Sequence, residues 1–461
     1  MMKLRHFKIT VLATLVLSAW VATSAPGQVG GASGPPTLVS KDAVSQWFPA
    51  PMGWAAETKG GAGGQVILVT NLDAKGPGSF RAALETKGPR IVAFEVGGVI
   101  DLGAETLKVA EPYITIAGQT APSPGITLIR GGIDITAHDV IVQHIRVRPG
   151  AAGGSWRKGP DFDSISTVGA YNVVIDHCSL TWGTDENLSA SGPRFTGSTP
   201  EEWRKGASHQ VTFSNNIIAE SLAHSGHPKG EHSKGSLIHD NAADILIIGN
   251  LYAHNYERNP LFKGGVRGTV VNNLIYNPGQ RALHYNLMAN EWGATAPVNG
   301  HLTAVGNVLR GGQDTAQGLR FLTIGGQGDL DYFGRDNLMV DRWGSSLDEL
   351  GSYGQTGAKI VKHGAPLDWP AGLIALPSLQ VETHVLTHAG ARPWDRDADD
   401  VRILADVAEG RGEIIDSEDE TGGYPKHAMT KRAFDPAQWD LATMRPKEAN
   451  VLDNGAKARG T

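Results

Sequence analysis

The stretches "DILIIGNLYAHN" (residues 244–255) and "GTVVNNLIYN" (268–277) decide the fold. Each holds a short apolar run, an Asn, and a second apolar run. Asn250 and Asn273 stand 23 residues apart, close to one turn of a parallel β-helix. The same pattern recurs in "DVIVQHIRVRPG" (139–150), "NVVIDHCSLTW" (172–182), "QVTFSNNIIAES" (210–221), "LTAVGNVLRGG" (302–312) and "GRDNLMVDR" (334–342). With His144, His177, Asn216, Asn250, Asn273, Asn307 and Asn337 as markers, the spacings are 33, 39, 34, 23, 34 and 30. The longer spacings read as turns with inserted loops. One such turn cannot bury its apolar face alone, so successive turns must stack. An inward Asn at a corner can then bond the Asn of the next turn and satisfy buried polar groups. A sandwich would show strands every 8–12 residues, and a propeller four strands per blade. Neither pattern is present. The expected class is all-β, a parallel β-helix.

The chain ends differ from this body. Residues 1–25 combine a basic start (Lys3, Arg5, Lys8), a short apolar run and small residues before the exit. That is the pattern of an export signal, and the run falls short of the ~20 residues a membrane span needs. A secreted or periplasmic protein is expected after cleavage, with no membrane in the mature form. Residues 26–50 read as a loose arm, 51–345 as the β-helix domain, and 346–461 as a wrap or cap, loose over about the last 15 residues. Ser79 in "GPGSFRAALETKG" (76–88) is placed to cap a short helix closing the first turn. "ARPWDRDADDVRILADVAEGRG" (391–412) reads as a helix with an acidic start.

Composition narrows function. Loss of Lys3, Arg5 and Lys8 moves the formal charge from −6 to −9. Such a chain is not a general nucleic-acid binder and would hold a polyanion only through a local basic site or a bound cation. The single cysteine, Cys178, permits no intrachain disulfide and reads as a small buried hydrophobe.

Three segments carry candidate chemistry. In "GPDFDSISTVGAYNVVIDHCSLTWGTDENLS" (159–189), Asp161 and Asp163 alternate along an extended segment and should share a face. Asp185 and Glu186 follow about one turn later, and stacked strands lie about 4.8 Å apart. Clustered carboxylates of this kind suit Ca²⁺. "HSKGSLIHD" (232–240) supplies Lys234, and "AHNYERNPLFKGG" (253–265) supplies Arg258 and Lys263. Successive turns would bring these cations beside the acids, on a face open to an anionic substrate. Glu257 points away from Arg258 by strand alternation. His224, His227, His232 and His239 cluster near Lys234, where they would either shape a subsite or decorate a loop, the loop being the favoured reading.

Together, "GGQVILVTNLDAKGPGSFRAAL" (63–84), "ITIAGQTAPSPGITL" (114–128), "VIVQHIRVRPG" (140–150), "DFDSIS" (161–166), "VVIDHCSLTWGTDENLS" (173–189), "HSKGS" (232–236), "AHNYERNPLF" (253–262) and "AGARPWDRDADDVRI" (389–403) resemble the bacterial pectate lyases of polysaccharide lyase family 1. The resemblance runs from about residue 60 to 425, in the family's order. It implies a right-handed parallel β-helix that cleaves polygalacturonate by Ca²⁺-dependent β-elimination. By resemblance, Asp163 is a calcium ligand with Asp161 beside it, and one or both of Asp185 and Glu186 complete the site. The usual next acid falls near Ser189, which has no carboxylate. Lys234 matches the substrate-binding lysine and Arg258 the base. Lys263 stands where the family often has a second substrate-binding arginine, so the charge is kept and the bidentate fork is lost. "GGAGG" (60–64) has Ala62 where an arginine is often found.

Rival readings are weaker on residues. A pectin lyase acting on methylated polymer needs no acid cluster. A glycoside hydrolase needs paired carboxyls around a water, and the adjacent pair Asp399–Asp400 lies in the tail helix. A non-catalytic carbohydrate-binding β-helix needs no Arg258 beside Lys234. A monomer is expected.

Overall fold

The structure is a computed structural model that describes residues 45–354 and 356–453. The expected signal segment and most of the expected arm lie outside the described residues. Short strands assemble into three parallel sheets, and from the second strand to the end of the stack each pairs with the one three positions further along the chain. The chain therefore winds round three faces, as a right-handed parallel β-helix. Like residues stack in the interior. Val142, Ile175, Phe213, Ile247, Val270 and Ala304 follow one another in register, and all are fully buried. Such columns replace the single globular core that a shorter strand array would need.

The corner carries the polar ladder. The backbone N–H of Cys178 donates to Asn216 Oδ1 at 2.8 Å. Asn216 donates to Asn250, Asn250 to Asn273, Asn273 to Asn307 and Asn307 to Asn337, each through its side-chain amide at 2.9–3.0 Å. Cys178 fills the ladder position of its own turn, where it is buried and its thiol is pushed up to about 12. The ladder thus runs through Cys178, one residue past the His177 marker. His144 and His177 instead occupy the preceding corner position, with φ of 56° and 49°. Asn215, Gly249, Asn272, Gly306 and Asp336 hold the same left-handed conformation in later turns. That geometry favours Gly and Asn, which explains why these residues punctuate the repeat.

Replacing Asn250 with Ala should be costly. It orphans the Asn216 amide and breaks the ladder at mid-height. The expected loss is about 2–4 kcal/mol, from two or more unsatisfied buried groups. Urea unfolding, read as a lower midpoint at unchanged slope, checks it.

The ends are tied down. Ser79 caps the helix Phe80–Glu85 by accepting from the Ala82 N–H, and Phe80 and Leu84 close the first turn. Phe48, placed in the expected loose arm, is buried against His144 and Trp394, with ring centroids 4.9 and 5.5 Å away. The stacking also runs past residue 345, to the strand Ile360–Lys362. Near the end, Val451 and Leu452 are buried beside Trp439 rather than loose.

The tail helices Ser378–His388 and Ala398–Glu409 lay Val381, Val385, Ile403 and Val407 onto Ile217, Leu251, Leu274 and Tyr276. Asp397 and Asp400 there meet Arg146 and Arg148, whose side chains are fully buried. Asp399 completes the Arg148 contacts. These acids are structural, consistent with their exclusion as a hydrolytic pair. The 3₁₀ turn Gly53–Ala55 packs on a second sheet. The third sheet carries the candidate site.

Candidate active site

Four consecutive strands of the third sheet build the site: Ile165–Val168, Glu186–Ser191, Lys234–Ile238 and Leu261–Lys263. Register places Glu186 beside Lys234, and Lys234 beside Glu257. Asp163 enters just before the first of these strands, and its Oδ1 accepts from the Glu186 N–H at 3.0 Å.

Asp163, Asp185 and Glu186 converge, with one carboxylate oxygen from each within 4.8 Å of the others. Asp161 does not join them: it is exposed and outside this group. The expected common face does not form, because both aspartates precede the strand Ile165–Val168, where the pleat does not govern direction. Burial and the neighbouring Asp185 charge push the Asp163 carboxyl well above its ordinary range. Burial also works against a charged Asp185, yet His227 and His232 hold that carboxyl far below the usual range. His232 Nε2 lies 2.8 Å from Asp185 Oδ1, and the two imidazoles stack at 3.6 Å. His227 and His232 are therefore part of the acid cluster, not loop decoration. Their sequence signal was their position two and seven residues before Lys234.

The donor set fits a hard divalent cation. It offers carboxylate oxygens at short mutual distance, and it carries a like-charge conflict at Asp163 that a cation would relieve. Asp163, Asp185 and Glu186 are the residues that could hold it.

Each candidate cation meets a carboxylate. Arg258, with φ 63°, turns back to bond Glu186 through Nη1. Burial lowers the Arg258 guanidinium below its ordinary value, with Asp185 and Asp163 opposing. Lys234 Nζ bonds Glu257, which also receives Arg281. Burial opposes charge on Glu257, but the surrounding His284, Lys234 and Arg281 hold it down at about 2. Glu257 stands in register with Lys234 and Glu186 and so shares their face; the expected alternation with Arg258 does not hold, because the left-handed backbone at Arg258 turns its side chain to that same face. Lys263 Nζ bonds Glu291 and lies 3.4 Å from Asp240. The structure therefore places Lys234, Arg258 and Lys263 on the face of the acids, but partnered rather than bare. Sequence reasoning missed Glu257's role, Arg281, Arg194, Asp240 and Glu291. Glu291 sits in the short helix Ala289–Trp292, an insertion without repeat periodicity.

Comparison with known proteins places this chain in a family. A protein named "Probable pectate lyase C" from Aspergillus flavus is 33% identical over 384 residues, covering 82% of this chain and 81% of its own length. The chain belongs to the pectate lyase family. Its homologue of the same name from Emericella nidulans is 32% identical over 421 residues, with 88% of each chain covered. These relatives are fungal, so the family as a whole, and not its bacterial branch, is what the sequence supports. No family model matches the chain. Among solved structures, a pectate lyase from Bacillus subtilis superposes with a TM-score of 0.52 at 14% identity, covering 75% of this chain and 97% of that one. The major allergen from cedar pollen gives 0.51 at 16%, covering 74% and 92%. These two likenesses speak to the fold. The protein is an enzyme, a pectate lyase. Among the described residues, no helix of this pectate lyase is long and apolar enough to cross a membrane.

Proposed function

We propose that this pectate lyase cleaves polygalacturonate by Ca²⁺-dependent β-elimination and releases 4,5-unsaturated oligogalacturonides. The observation that carries the reading is the convergence of Asp163, Asp185 and Glu186 beside Arg258 on one face of the β-helix. Asp163, Asp185 and Glu186 would hold Ca²⁺, which would supply positive charge to a substrate carboxylate and so make the neighbouring C5–H more acidic. Arg258 takes the C5 proton. The C5–H electron pair becomes the C4–C5 double bond, and the bond from C4 to the glycosidic oxygen breaks, that oxygen leaving with the bonding pair and taking a proton from water. Lys234, fixed by Glu257, and Lys263, fixed by Asp240, hold uronate carboxylates. The protein acts as a secreted or periplasmic monomer, with neither nucleic acid nor membrane as partner.

A guanidinium must lose its proton to act as a base, and burial lowers the Arg258 guanidinium. Activity should therefore rise with pH well into the alkaline range. Mass spectrometry of the products tests the reaction type. At each cut, elimination leaves one fragment with an unsaturated non-reducing end, one water lighter than its hydrolysis counterpart, and one ordinary saturated fragment. Saturated products alone, with no unsaturated partner, would sink the reading.

A further inference from the structure

Lys263 brings a point charge, without a planar fork, to the face of the acids. The structure provides one from elsewhere. Arg194 follows the strand Glu186–Ser191 and reaches Glu291 Oε2 with Nη2 at 2.8 Å. Lys263 Nζ bonds the same Glu291 oxygen. Both cations also share one oxygen of Asp240, with Arg194 Nε at 3.1 Å and Lys263 Nζ at 3.4 Å.

The two acids are not equivalent. Asp240 is fully buried and also accepts from Trp292 Nε1 at 2.7 Å, so it is a fixed anchor. Glu291 is 34% exposed on its side chain, and it lies in a four-residue helix with no side-chain cap. His239 Nε2 lies 3.3 Å from Arg194 Nη2, and burial brings that imidazole down to about 4, so it stands neutral. Two cations against one fixed acid leave a net positive pocket. Glu291 fills it with the functional group that a uronate would bring.

We propose that Arg194 and Lys263 form a carboxylate subsite for a galacturonate residue, and that Glu291 is its displaceable gate. The inference rests on the polygalacturonate reading above. Arg194 restores the planar, bidentate donor that Lys263 lacks. Glu291 competes with substrate for it, and a methyl ester, which carries no charge, would not displace Glu291.

The test is calorimetric titration of the full chain with trigalacturonate and Ca²⁺, in an Arg258→Ala background so that binding is read without turnover. Glu291→Gln is expected to tighten Kd, and Arg194→Gln to weaken it, each by about fivefold, the scale of a partly exposed ion pair. Should Arg194→Gln fail to fold, Arg194→Lys carries the test, with a weaker loss. If the parent binds no trigalacturonate, the substrate reading falls and this inference with it. If the parent binds but the two variants leave Kd unchanged, or shift it in the same direction, the subsite is overturned and the substrate reading stands.

Discussion

Arg258→Ala is expected to lower kcat on polygalacturonate by about 10² to 10⁴, the range for removing a positioned proton acceptor. Arg258→Lys should recover little, because an ammonium on a flexible stem does not reproduce the guanidinium's placement. The same change strips Glu186 of its cation, and Glu186 is buried. Without metal, the Arg258→Ala protein should therefore melt lower than the parent. With Ca²⁺ it should recover more than the parent does, because a freed carboxylate joins the ligand set. A rate loss together with an enlarged Ca²⁺-induced rise in Tm separates a chemical role from simple unfolding. Unchanged turnover in a folded Arg258→Ala protein would remove Arg258 from the mechanism.

Asp163→Asn should produce opposite effects on activity and on metal-free stability. Activity at limiting Ca²⁺ is expected to fall about 100-fold or more, since one of three converging carboxylates is lost. Metal-free stability is expected to rise. Asp163 holds its proton more tightly in the fold than in the unfolded chain. The stability tied to that proton is full below the unfolded carboxyl pKa and fades as pH rises through the raised folded value. An amide has no such loss. In EGTA near neutral pH, Tm should therefore increase by about 1–2 °C in Asp163→Asn. A Tm that drops in EGTA would show that Asp163 serves the fold more than an ion.

The repeat was legible because each turn repeats one physical problem. Asn216, Asn250, Asn273 and Asn307 solve it in the same way, each with an amide to the next turn, and Asn337 accepts the last of these bonds. Strand alternation did not carry over to Glu257 and Arg258, because neither lies in a strand and the left-handed backbone at Arg258 brings both side chains to one face. It could not show that Glu257 meets Lys234, because that contact depends on the register between turns of unequal length. Asp161 was overread for a related reason: spacing of two fixes a common face only inside a strand. His227 and His232 lie in an insertion, where no period predicts direction, yet they reach Asp185. Glu291 and Arg194 come from separate insertions that meet only after the strands stack. The site's strand residues could thus be read from the repeat, while its inserted residues needed the fold.

The central claim is calcium-dependent elimination at the acid cluster beside Arg258. The most direct measurement is the ultraviolet absorbance of the C4–C5 double bond conjugated to its carboxylate, followed while the purified protein acts on polygalacturonate at alkaline pH. The expected result is a steady rise with Ca²⁺ that stops when excess EGTA is added and resumes when Ca²⁺ is restored. A rise that continues unchanged in EGTA, or no rise from folded protein with Ca²⁺ present, would contradict it.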